Sequence, residues 1–406
     1  MRPRYAFVAD DFTGATDTLA TLALAGLRTS LYVDAERMAR DQTSEAIGLA
    51  TAARSLATSQ LVAALARAAD ALRAIAAPIA HYKVCSTFDS APHIGSIGAA
   101  VDALRVAVPH RLLPIVGGQP NLRRYCLFAT LFAGAGATGD VHRIDRHPTM
   151  SRHPVTPMLE ADLRRHLAAQ GLEDVHSVDY TRYAAPLSFP DGAVLFDVAT
   201  QADLSVIGDL LLQHSRQAPL LAVGPSSVAQ AMIAAWRNEG SLPAASEPLA
   251  VPPASGPVFV LSGSQSPVTA HQLASSPSFV KIEIGLDDAD DARNCIALLR
   301  DGRHVLAHTG GTRRAAGHAL ETAGARLLAS VLHDVPLTRA GVSGGDTSSH
   351  AVRALDLDRL EFAAQLCPGV ALCRVHGRKL DGLELMLKGG QMGPPDIFER
   401  LITPGG

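Results

Sequence analysis

The sequence predicts an α/β protein built of two α/β domains, each a mostly parallel sheet flanked by helices. Three observations predict it. The chain has 406 residues, more than one compact core usually organises. Short β-like runs alternate with alanine-rich helical runs in both halves, the pattern of parallel strands covered by helices. Between Asn238 and Gly256 the rhythm is broken by Gly-Ser-Leu-Pro and Val-Pro-Pro-Ala-Ser-Gly-Pro, which reads as a boundary. The expected domains are residues 1–240 and 257–406.

Tyr5 to Ala9 reads as a strand running into Asp10 and Asp11, then a turn at Gly14 and a helix from about Thr16 to Ala25 that Gly26 stops. Strands follow at Thr29–Val33 and Ile47–Thr51, the latter leading to Arg54. A long amphipathic helix spans Ser59–Ile75, and a strand at Ile79–Val84 opens into Cys85-Ser86-Thr87-Phe88-Asp89-Ser90. A helix begins after Gly95-Ser96-Ile97-Gly98, and a strand at Leu112–Val116 runs into Gly117-Gly118-Gln119-Pro120. From Val141 to Met158 the chain is dense in His, Arg and hydroxyls without a period, and two X-Pro steps hold it extended, so it reads as a functional loop. A helix at Glu160–Ala169 and strands near Val194–Phe196 and Leu220–Val223 complete the first half. The second half restarts at Val258–Leu261, with further strands at His304–His308 and Leu383–Leu387. A helix opens at Gly344 and runs to about Ala354.

Composition narrows the function. A net charge of −3 argues against a nucleic-acid binder, and no apolar run reaches membrane-spanning length. Five cysteines without metal-type spacing read as reduced thiols of a cytoplasmic protein.

One helix cap explains one Asp or Thr at the first strand's end. It does not explain Asp10, Asp11, Thr13, Thr16 and Asp17 together, in the position where open α/β sheets bind ligands. These carboxylates can accept hydrogen bonds from hydroxyls or hold Mg²⁺. Lys83, Arg54, Arg146, Arg152 and His153 suit a carboxylate. His147 and His153 lack a third partner at metal spacing. The C-terminal half has three glycine-plus-hydroxyl turns after strands, Ser262–Ser266, Thr309–Thr312 (Gly310, Gly311) and Gly344–Thr347, and a fourth glycine turn, Lys388–Gly393, closes the set. Tight turns alone explain any one of them. Four together suit phosphates, because bare backbone N–H groups and hydroxyls converge there. There is no Walker motif and no strand-linked dinucleotide fingerprint. A domain for a polyhydroxylated acid paired with one for phosphates is a kinase's division of labour.

These residues carry a specific resemblance. Ala9-Asp10-Asp11-Phe12-Thr13-Gly14-Ala15-Thr16-Asp17 resembles the opening signature of the four-carbon acid sugar kinase family. Tyr82 to Ser90 with Ile94 to Gly98, and His153-Pro154-Val155-Thr156-Pro157-Met158, resemble its second and third blocks. Leu261 to Ser264, Gly344 to Thr347 and Lys388 to Gly390 are similar to its nucleotide-site blocks. The resemblance implies a sugar-acid-binding N-terminal domain and an ATP-binding C-terminal domain closing over one interdomain cleft. It implies ATP-dependent phosphorylation of a terminal hydroxyl in 3-oxo-tetronate, D-threonate or D-erythronate, with Mg²⁺ accompanying ATP. Asp10, Asp11, Thr13, Arg54, Lys83, Ser86, Arg152 and His153 then fall on the substrate side. Ser262, Ser264, Gly310, Gly311, Thr312, Gly344, Gly345, Asp346, Thr347 and Gly390 fall on the nucleotide side, and Asp11 or Asp346 is the carboxylate nearest the transferred phosphate.

The chain departs from the tetronate kinases at Val116-Gly117-Gly118-Gln119-Pro120-Asn121, at Arg123-Arg124-Tyr125 and at Arg143 to Met150. There it looks more like the branch found with RuBisCO-like proteins, whose proposed substrate is a branched acid such as 3-oxo-isoapionate. Two other readings stand beside the kinase: a non-catalytic sensor of sugar acid or nucleotide, and a nicotinamide-dependent dehydrogenase, which the missing fingerprint disfavours. Homodimerisation is the base-rate expectation.

Overall fold

Tyr5-Ala6-Phe7-Val8-Ala9 is buried at every position, as a strand covered on both faces must be, and it lies in the interior of its sheet. The computed structural model describes residues 2–136, 139–153, 155–244, 250–285, 288–310 and 317–403, with the backbone alone for residues 288, 289, 317, 318, 321 and 346. The chain separates into two compact units, Met1–Ser246 and Glu247–Gly406.

The strands of the N-terminal unit are β1 (Tyr5–Ala9), β2 (Thr29–Tyr32), β3 (Ala46–Ala50), β4 (Ile79–Lys83), β5 (Leu112–Val116), β6 (Arg124–Leu127), β7 (Thr130–Gly134), β8 (Val141–Arg143), β9 (His176–Val178), β10 (Gly192–Phe196) and β11 (Leu220–Gly224). Eight of them form a parallel sheet in the order β2-β3-β1-β4-β11-β5-β10-β9. The helices are α1 (Phe12–Leu24), α2 (Ala35–Ala39), α3 (Thr58–Ile75), α4 (Ile97–Arg105), α5 (Leu163–Ala168), α6 (Gln201–Ser215) and α7 (Ser227–Asn238). Successive residues of β1 point to opposite faces. Ala6 and Val8 join a core with Leu61, Leu65 and Leu72 of α3 and Val101 of α4, whereas Tyr5 meets Trp236 of α7. The strand order reverses between β1 and β4, so the crevice at their carboxyl ends is the unit's topological switch point.

Two expectations change here. The first helix starts at Phe12 rather than Thr16, because Asp11 has extended backbone and accepts from the Gly14 N–H as its N-cap. The stretch read as a loop from Val141 carries β8, which pairs antiparallel with β7 and through it with β6, followed by two 3₁₀ turns. Strands of three to five residues leave too few alternations for periodicity to register.

The C-terminal unit contains β12 (Val258–Ser262), β13 (Phe279–Ile284), β14 (His304–Thr309), β15 (Arg339–Ser343), β16 (Arg359–Cys367), β17 (Val370–His376) and β18 (Glu384–Lys388), ordered β13-β14-β12-β15-β18-β17-β16. The first five are parallel, and β17 and β16 add an antiparallel edge. Its helices are α8 (Pro267–Ala274), α9 (Asp288–Arg300), α10 (Gly317–Asp334) and α11 (Gly345–Ala354). Among the described residues no helix is long and apolar enough to cross a membrane.

Candidate functional site

Five neighbouring strands of the N-terminal sheet deliver polar residues to one edge: β3 leads to Arg54, β1 to Asp10 and Asp11, β4 ends in Lys83, β11 leads to Ser226 and β5 to Gln119. Arg54 lies in the 3₁₀ turn Ala53–Ser55, and its backbone N–H donates to the Asp10 carbonyl. Its guanidinium grips Asp10 bidentately, Nε to Oδ2 at 2.9 Å and Nη2 to Oδ1 at 2.8 Å. Nη1 reaches Asp11 Oδ2 at 3.0 Å, and Nη2 lies 3.0 Å from Asp11 Oδ1. Asp11 also accepts from the Thr13 hydroxyl at 2.5 Å and from the Gly14 N–H at 2.9 Å.

Asp10, Asp11 and Lys83 are each only 3% exposed. Burial raises Asp10 above the ordinary carboxylate value, with Arg54 and Lys83 offsetting part of it and Asp11 adding to it. At Asp11 burial pushes the same way, but Arg54, Lys83, Thr13 and Gly14 together outweigh it, so this carboxyl lies below its ordinary value. The pair is therefore asymmetric, with Asp11 the more firmly ionised.

Lys83 has a different standing. Its ammonium makes no hydrogen bond among the described residues, and it lies where a Cβ on Gly14 would sit, 2.0 Å from the ideal position. Only glycine lets this buried cation rest beside the Asp11 carboxylate. Arg54 is thus committed to two carboxylates, while the Lys83 donors are unmatched among the described residues.

Asp17, the third carboxylate of the opening stretch, accepts from Ser226 Oγ at 2.5 Å and from Gln119 Nε2 at 3.2 Å. It ties α1 to the loops after β11 and β5. Ser86 is half-buried beyond β4. In the same segment Asp89 accepts from the Thr156 hydroxyl. His153 Nδ1 accepts from the Thr156 N–H at 3.1 Å. Arg152 is exposed. His147 is buried, its Nδ1 accepting from the N–H groups of Thr149 and Met150, so it serves the turn.

One residue absent from the sequence-based candidates stands out. Arg124, the first residue of β6, is 8% exposed; its Nε is buried without an acceptor, and its sole side-chain bond among the described residues goes to the Leu122 carbonyl. The signal was an arginine pair, Arg123-Arg124, just after Pro120, and nothing local told which of the two turns inward. The fold decides it: Arg123 takes a left-handed conformation at φ 60°.

In the C-terminal unit residues at the ends of neighbouring strands lie in register, His308, the penultimate residue of β14, beside Ser262, Ser262 beside Ser343 and Ser343 beside Lys388. Among the described residues the Ser262 and Ser343 hydroxyls are buried without partners, as are those of Thr309 and of Ser348 in α11. Buried hydroxyls left unmatched are costly unless a ligand meets them. Gly344, at φ 121°, lies where a Cβ would approach the Ser264 N–H at 3.2 Å and Thr347 Oγ1 at 3.0 Å, and it precedes the open N–H groups of α11, which begins at Gly345. Thr269 Oγ1 donates to the Gly390 carbonyl at 2.7 Å, and Ser266 Oγ does so at 2.5 Å, binding the loop after β12 to the loop after β18. Ser264 faces Gly390, whose Cβ would stand 2.2 Å from its Oγ. Gly310 abuts Glu283. Gly311 and Thr312 lie outside the described residues, as does the side chain of Asp346.

Lys388 is fully buried, donates to the Gly389 carbonyl at 3.0 Å, and lies over the Phe398 ring. Burial pushes it down to about 7. In the unfolded chain a lysine titrates near ~10.4. The unfolded state therefore binds the extra proton between those values, and this group makes stability rise from pH 7 towards pH 10 and withholds that gain below 7. Lys388→Met is expected to flatten that slope and to gain about 2–4 kcal/mol at pH 6. Urea denaturation at pH 6, 8 and 9.5 reads it, and parallel profiles for both proteins would contradict it.

Comparison with known proteins gives these edges a family. A sugar-binding N-terminal domain model matches residues 5–232, and a nucleotide-binding C-terminal domain model matches residues 259–398. The chain belongs to the four-carbon acid sugar kinase family. It is 36% identical to a 3-oxo-isoapionate kinase of Paraburkholderia graminis, over 97% of this chain and 93% of the relative. It is 29% identical to a 3-oxo-tetronate kinase of Methylobacterium radiotolerans, over 97% of each. The fold resembles that of Haemophilus influenzae protein HI1011, with a TM-score of 0.70, 24% identity and 98% coverage of both chains. This member of the family is a sugar-acid kinase with a nucleotide-binding C-terminal domain, so it uses ATP. The sensor reading finds no support.

Proposed function

We propose that this kinase transfers the γ-phosphoryl group of ATP to a terminal hydroxyl of a branched, 3-oxo sugar acid of the 3-oxo-isoapionate type, in the cytoplasm. The observation that carries the acceptor side is the carboxylate pair Asp10–Asp11 beside the unbonded Lys83 ammonium at the switch point. A small polyol acid needs such a mixture: acceptors for its hydroxyl protons and donors for its hydroxyl and oxo oxygens. The choice of a branched acid over a tetronate is supported by the relative acting on 3-oxo-isoapionate and by the departures at Val116–Asn121 and Arg143–Met150.

On the donor side, Ser262, Ser343, Ser348 and the α11 amino end fit phosphate oxygens, because each offers a donor otherwise unmatched. Among the described residues no group of three His, Cys, Asp or Glu side chains could hold a metal. Mg²⁺ would accompany ATP as an ion that keeps several waters and takes one or two carboxylates beside the phosphates. It would offset charge on the transferred group.

In the reaction the acceptor oxygen forms a bond to the γ-phosphorus, the bond to the β–γ bridging oxygen breaks, and the hydroxyl proton leaves. Asp11, ionised and fixed by Arg54, Thr13 and Gly14, orients that hydroxyl and accepts its proton. ADP release coupled to a panel of 3-oxo-isoapionate, 3-oxo-tetronates, D-threonate and D-erythronate tests the reading. The branched acid is expected to give the highest kcat/KM. A preference for a tetronate would overturn the substrate, and silence of the whole panel with Mg²⁺ present would overturn the reaction.

A further inference from the structure

We propose that Arg124 binds the carboxylate of the acceptor acid. The class of ligand rests on the kinase reading above; the need for an anion rests on the arginine itself.

Two other inward-facing arginines among the described residues are matched. Arg54 holds Asp10 and Asp11. Arg339, 2% exposed, donates to Glu384 at 2.9 Å and to the carbonyls of Pro252 and Leu401. Arg124 has no carboxylate within ion-pair distance among the described residues, and the undescribed residues between 2 and 244 are Ala137, Thr138 and Pro154, none of them acidic. A buried guanidinium carrying one carbonyl bond and a bare Nε is uncompensated. A charge left in that state is a standing demand for an anion.

Its place in the fold fits the acceptor. Arg124 and Gln119 exchange backbone hydrogen bonds at 2.9 and 3.2 Å, which pins Arg124 to the carboxyl edge of β5; Gln119 in turn holds Asp17. Cys85, two residues past the end of β4, lies within electrostatic range of both Arg54 and Arg124. The guanidinium thus stands near the same edge as Asp10, Asp11 and Lys83. A planar fork matches a planar carboxylate and fixes which end of the acid points away from the reacting hydroxyl.

The test is calorimetric titration of the intact protein, without ATP, with 3-oxo-isoapionate, D-erythronate and the carboxamide of each. The wild type is expected to prefer at least one acid to its amide by tenfold or more. Arg124→Met should bind acid and amide alike, and Arg124→Lys should keep part of the preference. If Arg124→Met does not fold, as judged by circular dichroism, Arg124→Lys carries the test, with an expected fivefold or greater loss of acid affinity. Undiminished discrimination in the folded variants overturns the assignment. So does a variant whose KM for the acid is unchanged while kcat falls, because the arginine would then serve the transferred phosphate. Acid binding without ADP release in the wild type would remove the kinase reading and leave the carboxylate site standing. Absence of acid binding removes both.

Discussion

Arg54→Met is expected to destabilise the N-terminal unit by about 3–5 kcal/mol, the usual cost of leaving a buried charge without its partner. Here one guanidinium serves two carboxylates that are 3% exposed, so its removal strands both. The sign with pH follows. Without Arg54 both carboxyls rise, Asp10 further above its unfolded value and Asp11 from below it, so the folded variant holds protons to higher pH than folded wild type does. Its stability then falls as pH rises, and the deficit against wild type shrinks as pH drops from 7 towards 5. Urea unfolding at the two pH values checks it. A triple variant with Asp10→Asn and Asp11→Asn added should recover most of the loss. An Arg54→Met protein as stable as wild type would show that the trio holds nothing together.

The second large effect is on rate. Asp11→Asn is expected to lower kcat by about 10²–10⁴, the range associated with a lost proton acceptor. The fold should survive better than in Arg54→Met, since asparagine is itself a good N-cap and its carbonyl can still receive the Gly14 N–H. ATP affinity should be unchanged, because Asp11 belongs to the acceptor unit. Steady-state ADP release and nucleotide titration separate these. Normal turnover would remove Asp11 from proton transfer.

The central strands and the gathering of Asp10, Asp11 and Lys83 at strand ends were legible from the sequence because each is local: an apolar run, then polar residues where the run stops. What those residues do to one another was not. Arg54 reads as a cation free for substrate until the sheet places β3 beside β1 and brings it onto two carboxylates 43 and 44 residues earlier. Asp17 reads as one more ligand for hydroxyls until α7 brings Ser226 to it, 209 residues away. The antiparallel β6–β8 sheet escaped because its strands are too short to show a period, and Arg124 escaped with it. In the second unit the glycine turns were visible, but the row of unmatched hydroxyls depends on strand register, which no single strand encodes.

The bond from Asp17 to Ser226 and Gln119 has a thermodynamic consequence. It fastens α1 to two loops at the mouth of the crevice, so three walls have given up their freedom during folding. An entering acid spends little of its affinity on ordering them. Selectivity can then rest on small mismatches, a misplaced hydroxyl or a missing charge, that a softer crevice would absorb by adjusting around them.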